Sequence, residues 1–420
     1  MPLSSSLIAS PFKVLVIAPR FPAINQTWMD TYLEQLSIGG ISFNIYSSNK
    51  SPGAYQQKVD RLGLRDFVLQ FSLYNKGEFL KALLQAKDRF SLLCKAFAVG
   101  REFKAGGAGF GASFFKAAYF AVHSNMFKEC SVIHAHEEIA AYEFVHLSKV
   151  TGLPLVVTFH GLPPEGVGQL ASVKRAILYG HADKVIVNTE FAKKQVAALG
   201  CPEEKIIILP QGLPVEDFGF NPSQPPAVGR PLELLTVGRY QRDKGQAYVL
   251  IALKRLIDQG ILVHYHLVGV GDEGRNRLDN IAKQLQLESY VSFHQDLSDQ
   301  ALKALYHQAH LFVLPSLSSK NGSHEETQGV VLQEAQASGC LVIATNVGGI
   351  PECIHDHVDA LLIKDRSSKE LVSAIKFYLG HPGDWSKFQK KARENVEKNF
   401  SSDIVGLSMK NILLASSTRY

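Results

Sequence analysis

EETQGVVLQEAQASG, residues 325–339, is the stretch that decides how this 420-residue chain folds. Glu326 and Glu334 stand eight positions apart in it, and Val330, Val331, Leu332, Ala335 and Ala337 form the apolar side of a helix opening near Gly329. Just ahead lies LFVLPS (311–316), a short apolar run closed by proline, and just behind lies CLVIATN (340–346). Both read as buried strands. Strand, loop, helix and strand at this spacing make a βαβ unit with a parallel pair. Glu326 then sits in the loop beyond the first strand and Glu334 inside the helix, on the order of 10 Å apart at the helical rise. The helix N-terminus offers free N–H groups and partial positive charge to an anion lying between them. Two acceptor-only carboxylates flanking an anion site suit a ligand with hydroxyl groups at both ends and phosphate in the middle. A capping acid plus a solvent-facing acid is the structural alternative.

Outward from this stretch the same alternation repeats. FKVLVIAPR (12–20), SVIHAH (131–136), LPLVVTFHG (153–161), DKVIVNTE (183–190) and EKIIILPQG (204–212) are apolar strands separated by helix-patterned runs. PVEDFGFNPSQPPAVGRP (214–231) breaks the rhythm with proline, glycine and asparagine, which marks a boundary. LELLTVGR (232–239), ILVHYHLVG (261–269) and YVSFHQ (290–295) restart it. The expected fold class is α/β, two doubly wound Rossmann-like domains facing a cleft. Residues 1–213 form the first domain, 214–395 the second, and 396–420 a closing helix that returns to the first.

Composition narrows the class. Hydrophobic residues make up 46% and charged residues 20%, the balance of a globular protein. Five scattered cysteines without a C-x-x-C pair point to a reducing cytoplasm. MPLSSSLIASPFK has neither a basic n-region nor a long apolar stretch, so no signal peptide is expected. The net charge of +5 is concentrated between residues 76 and 128, where nine basic residues face three acidic ones. Phe79, Leu80, Leu84, Phe90 and Phe97 are interleaved with them. Two readings fit: an amphipathic surface for an anionic membrane, or two packed helices with snorkelling lysines. No nucleic-acid-binding module accompanies the charge, and nucleic acid is not expected as a partner.

In open parallel sheets ligands bind beyond the carboxyl ends of the strands. His160, Arg239 with Lys244, Glu326, and the glycine pair of NVGGIP (346–351) all fall at such ends. Arg239 offers a planar fork and Lys244 a point charge to phosphate oxygens, although an exposed loop pair would look the same. Glu326 and Glu334 would hold hydroxyls, and a carboxylate near a departing diphosphate also stabilises cationic character in a transferring sugar. His160 could orient that sugar or be a satisfied structural histidine. His134 and His136 share a strand face, yet no separate third ligand is evident and no metal is expected.

Taken together, ETQGVVLQEA with its flanking strands, TVGRYQRDKG, HLVGVGDE, VVTFHG and NTEFAKKQVAALGCPEEKIIILPQG resemble the signature of the retaining glycosyltransferases of family four, which have the GT-B fold. RFPAINQTWMDTYLEQL (20–36) is loosely similar to the F-P-x-x-S-E-T-F opening of exopolysaccharide-assembling members. The resemblance implies a UDP- or GDP-sugar donor on the second domain and a saccharide or lipid-linked acceptor on the first. It implies transfer with retained anomeric configuration, without metal or other cofactor. The cysteines point to the cytoplasm, and the basic segment, on its membrane reading, to the inner face of the membrane. By position, Arg239 and Lys244 would bind diphosphate, Glu334 ribose and Glu326 the donor sugar. Thr327, Gln328, Gly329 and Val330 would line the donor loop, and His160 would lie beside the reacting centre. The chain departs from the pattern at Thr327-Gln328-Gly329, where relatives carry a glycine pair or a G-F-G-like loop. It departs again in PRFPAINQ (19–26), which lacks their phosphate-approaching glycines, and at Gln211-Gly212-Leu213-Pro214, where N-G-V-D is common. A catalytically inactive GT-B partner protein and a sugar-nucleotide epimerase on the same fold are the competing readings.

Overall fold

The computed structural model describes residues 12–19, 21, 27–48, 63–70, 73–162, 169–319 and 325–417. The opening loop 22–26 and the amino-terminal residues 1–11, both read above from sequence, lie outside the described residues.

The apolar runs form two parallel sheets. The first has seven strands: β1 (Lys13–Ile17), β2 (Ser42–Ser47), β3 (Val68–Gln70), β4 (Val132–His136), β5 (Leu155–Thr158), β6 (Lys184–Val187) and β7 (Ile206–Ile208), in spatial order 3-2-1-4-5-6-7. The second has six: β8 (Leu232–Val237), β9 (Val263–Val268), β10 (Val291–His294), β11 (Leu311–Leu314), β12 (Leu341–Thr345) and β13 (Leu361–Ile363), in order 10-9-8-11-12-13. Both orders reverse direction once, between β1 and β4 and between β8 and β11. At such a switch point the following loops diverge to opposite faces and leave a crevice.

Each sheet is covered on both faces, which is why its strands read as unbroken apolar runs rather than alternating ones. Leu15, Ile17, Ile133 and Val157 pack into one cluster of the first domain, and Val14, Val16, Val132 and Val156 into another on the opposite face. Leu234, Val313 and Ile343 belong to one cluster of the second domain, and Leu235, Phe312 and Val342 to the other.

The basic segment forms three helices, Lys76–Gln85, Arg89–Ala105 and Phe110–Val122, where two were expected. Asn75 opens the first by accepting from the N–H groups of Gly77 and Glu78. Gly100 is buried against the third helix because a Cβ there would lie 3.0 Å from the Phe110 ring.

Two strands of chain join the domains, and they run side by side. Leu213 N–H donates to Phe400 C=O at 2.7 Å, and Ser402 N–H donates to Leu213 C=O at 2.8 Å. Beyond this crossing, helix Ser402–Ser417 lies on the first domain. Its Met409 and Leu413 are buried in the cluster of Val14 and Leu33, and Lys410 Nζ donates to Gly39 C=O at 2.7 Å.

Candidate active site

The carboxyl ends of β8 and β11 bring the expected anion-binding residues together. Arg239 follows β8 and is exposed, with no ion-pair partner among the described residues. Gln246 Nε2 donates to its carbonyl at 2.8 Å and so fixes the loop rather than the side chain. Lys244 precedes Gly245, whose φ of +65 and position against Pro315 C=O leave no room for a side chain. That turn points Lys244 Nζ at Glu326 Oε2, 2.6 Å away, in a largely buried ion pair. Ser316 Oγ donates to the same oxygen at 3.2 Å. The cation expected on phosphate and the acid expected on sugar are therefore partners of each other here.

Helix Val330–Ser338 begins at Gly329, which has a φ of +77. Glu334 on this helix accepts from the Tyr306 hydroxyl at 2.7 Å, and burial raises its carboxyl above the ordinary range against that bond. Glu334 also opens onto an interdomain cleft of about 180 Å³. Trp28, Thr31 and Glu34 line it from the first domain, and Lys303 and Val330 from the second.

The side chains of Thr327 and Gln328, expected in the donor loop, turn instead to the first domain. Thr327 Oγ1 accepts from Asn188 Nδ2 at 3.0 Å, and its C=O accepts from Thr189 Oγ1 at 2.8 Å. Gln328 is 1% exposed; its Oε1 accepts from Gln211 N–H at 2.7 Å and its Nε2 donates to Gln211 C=O at 3.1 Å. A short polar loop with side-chain amide and hydroxyl groups bridges domains in a way that a glycine pair could not. Glu352 adds a third link, its two oxygens accepting from Glu190 and Phe191 N–H at 2.6 and 2.7 Å. These are unpaired N–H groups at the start of helix Glu190–Ala198, where a carboxylate is favoured.

His160 lies across from this loop, and its ring has both nitrogens engaged. Nδ1 is 2.9 Å from Gln211 Nε2 and Nε2 is 3.2 Å from His136 Nδ1. The Trp28 indole covers it at 4.2 Å between ring centroids. The residue expected beside the reacting centre thus has a protein partner on each ring nitrogen in this structure. His134 is held by the Tyr32 hydroxyl at 2.5 Å and by Thr158 Oγ1 at 2.8 Å. The sequence offered no third imidazole beside His134 and His136; the fold brings His160, whose Nε2 meets His136 Nδ1, while both His134 nitrogens take hydroxyl partners. Among the described residues no group of three or more His, Cys, Asp or Glu is arranged to hold a metal ion. Burial holds the His160 imidazole at about 4 and His134 at about 3, while His136 lies well below its ordinary value. All three are neutral at pH 7.

Asn188, Thr189, Glu352 and Trp28 were not singled out from sequence, and Gln211 was noted only as a departure from the N-G-V-D pattern. Gln211 and Asn188 follow β7 and β6, so the strand-end rule that selected His160 reaches them as well.

This arrangement has relatives. Residues 217–399 match the model for Glycosyl transferases group 1, and residues 87–217 the model for Glycosyltransferase Family 4. The chain thus carries a family 4 and a group 1 glycosyltransferase domain in succession. WcaL of Escherichia coli (strain K12), named for colanic acid biosynthesis, is 28% identical over 57% of this chain and 58% of its own length. AmsK of Erwinia amylovora, an amylovoran biosynthesis glycosyltransferase, is 28% identical over 56% of this chain and 57% of its own. The matches thus span a little over half of these relatives. Two solved structures share the fold across nearly the whole chain. A glycosyltransferase of Rickettsia africae has a TM-score of 0.72 at 19% identity, covering 97% of this chain and 99% of that one. Anabaena Alr3699/HepE in complex with UDP-glucose has a TM-score of 0.71 at 17% identity, covering 96% and 99%. The fold is GT-B, two parallel-sheet α/β domains.

Proposed function

We propose that this chain transfers a sugar, with retention, from a UDP- or GDP-sugar to a saccharide or lipid-linked acceptor in exopolysaccharide or cell-surface glycan synthesis. The observation that carries the reading is the Lys244–Glu326 ion pair of 2.6 Å at the mouth of the second sheet, with exposed Arg239 beside it and Glu334 on the adjoining helix. A diphosphate arriving at Arg239 and at the N-terminus of helix Val330–Ser338 competes with Glu326 for Lys244. When Lys244 turns to phosphate, the Glu326 carboxylate, still held by Ser316, accepts from donor-sugar hydroxyls in its place. Glu334 accepts from the ribose diol in the same way. The two cations and the helix end stabilise charge that grows on the leaving phosphate, an interaction stronger in the transition state than in the ground state. In a front-face attack the acceptor proton goes to the leaving phosphate. The complexes titled with UDP and UDP-glucose for Alr3699/HepE support a nucleotide-sugar donor. No metal or cofactor enters this scheme.

The acceptor side is read from the three basic helices. Leu80, Leu84, Phe90 and Phe97 are 56, 66, 80 and 50% exposed, and Lys81, Lys87, Arg89 and Lys95 alternate with them. An apolar stripe set among cations suits an anionic bilayer surface, where a lipid-linked acceptor would be met. No helix among the described residues is long and apolar enough to cross a membrane.

Screening common UDP- and GDP-sugars for slow donor hydrolysis by mass spectrometry tests the donor reading. At least one should be hydrolysed by the wild type and none by Lys244→Ala; binding of neither UDP nor GDP by calorimetry would sink it. Co-sedimentation with phosphatidylglycerol vesicles should be lost on charge reversal at Lys87, Arg89 and Lys95. Unchanged sedimentation would remove the membrane.

A further inference from the structure

Three residues from three parts of the chain are joined in one polar line. Gln328, in the second domain, pairs its amide with both backbone groups of Gln211, at 2.7 and 3.1 Å. This two-point pairing fixes Gln211 as a neighbouring strand would. The Gln211 side-chain amide in turn reaches His160 Nδ1 at 2.9 Å. An N–H donor on Nδ1 makes that nitrogen an acceptor, so the ring proton resides on Nε2 and is donated to His136 Nδ1 at 3.2 Å. The His136 proton then lies on its own Nε2, which is buried and unpartnered. It faces a small cavity lined by Trp28, Thr31 and Gln35. At its other end the line begins two residues from Glu326.

The turn that carries His160 rests on the same loop. Gly161 has a φ of +107, and a Cβ there would lie 3.1 Å from Thr327 Cγ2. Thr327 is itself tied to Asn188 and Thr189. His160 is thus oriented from the second domain, not by its own domain alone.

We propose that Gln328 and Gln211 are positioning residues. They hold His160 as the Nε2–H tautomer and set its turn against the Glu326 loop only while the two domains meet here. This rests on the glycosyl-transfer reading above for its catalytic consequence, but not for the tautomer. A carboxamide at 328 is required because it must accept from one backbone group and donate to the other. Glutamate can only accept, and leaves Gln211 C=O unpaired.

The test uses the full chain, with imidazole nitrogens followed by long-range ¹H–¹⁵N NMR and His160 assigned through His160→Gln. The wild type should show His160 with Nε2 protonated and Nδ1 bare. In Gln211→Ala and Gln328→Glu the two ring nitrogens should move toward averaged shifts, while the His146 signals, remote from the line, stay put. Gln328→Asn, one methylene too short, should behave as Gln328→Glu does, which guards against a variant that simply unfolds. With an active donor, Gln328→Glu should lose about 10- to 100-fold in kcat at nearly unchanged donor KM. Unmoved His160 nitrogens in all three variants would overturn the proposal, as would a raised donor KM with kcat intact, which would make Gln328 a donor ligand. If the nitrogens shift but no nucleotide-sugar is turned over by the wild type, the functional reading fails and the positioning holds.

Discussion

Acidification should unfold this protein through its first domain, and the size of the effect follows from four buried imidazoles. Burial holds His146, His160 and His181 each at about 4 and His134 at about 3, against an ordinary value of 6.5. A folded-state value below the unfolded one means that the unfolded chain binds more protons between the two. Stability is therefore fully present above about pH 6.5 and is lost as the pH falls toward 4. At pH 5 the linkage comes to about 2 kcal/mol for each histidine, or about 8 kcal/mol for the four. That is a large share of the roughly 5–15 kcal/mol that holds a typical domain folded. Glu334 and Asp359 are shifted upward by burial, so they take protons more readily when folded and offset part of the loss. Urea titrations followed by far-ultraviolet circular dichroism at pH 7.5, 6.5 and 5.0 should show a flat upper range and a falling midpoint below it. His146 rests on the Phe103 ring at 4.3 Å between centroids, away from the proposed site. Replacing it with glutamine should shrink the fall between pH 7.5 and 5.0 by about 2 kcal/mol. A midpoint that does not move between pH 7.5 and 5.0 would refute the reasoning.

Other consequences are simpler to check. Arg239→Ala and Lys244→Ala should each cost about 100-fold or more in nucleotide release under saturating acceptor, with circular dichroism unchanged. Glu352→Ala strips the carboxylate from the start of helix Glu190–Ala198 and should lower stability by about 1–2 kcal/mol in urea, with faster proteolysis between the domains. Gly245→Ala forces a Cβ to within 1.8 Å of Pro315 C=O at a φ of +65, and should destabilise by about 3 kcal/mol or more in the same titration.

Much of the architecture was legible because both sheets are buried on two faces, and continuous apolar runs such as KVLVI and LFVL have no other use. The strand-end rule placed Arg239, Lys244 and Glu326 together because it depends only on where strands stop. What escaped it was partnership. Nothing in the letters says that Lys244 closes on Glu326, or that Gln328 turns away from the cleft to grip Gln211. The first pairing depends on how two loops of the second domain fold together and the other on how the two domains meet, and the contacting residues lie 82 and 117 positions apart. His160 shows the same limit: its position was readable, but the engagement of both ring nitrogens was not. The basic segment divides into three helices rather than two, Phe110–Val122 being set off from Arg89–Ala105 by the turn at Gly106–Gly109.

The seat of helix Ser402–Ser417 has a consequence for biosynthesis. Met409 and Leu413 close one apolar face of the first sheet, yet they are translated after every strand of the second. A nascent first domain therefore waits on the ribosome with Val14, Val16 and Leu33 incompletely covered while nearly two hundred further residues emerge. That interval is when a holdase chaperone has most to bind, and when shortening this helix would do the most harm to yield.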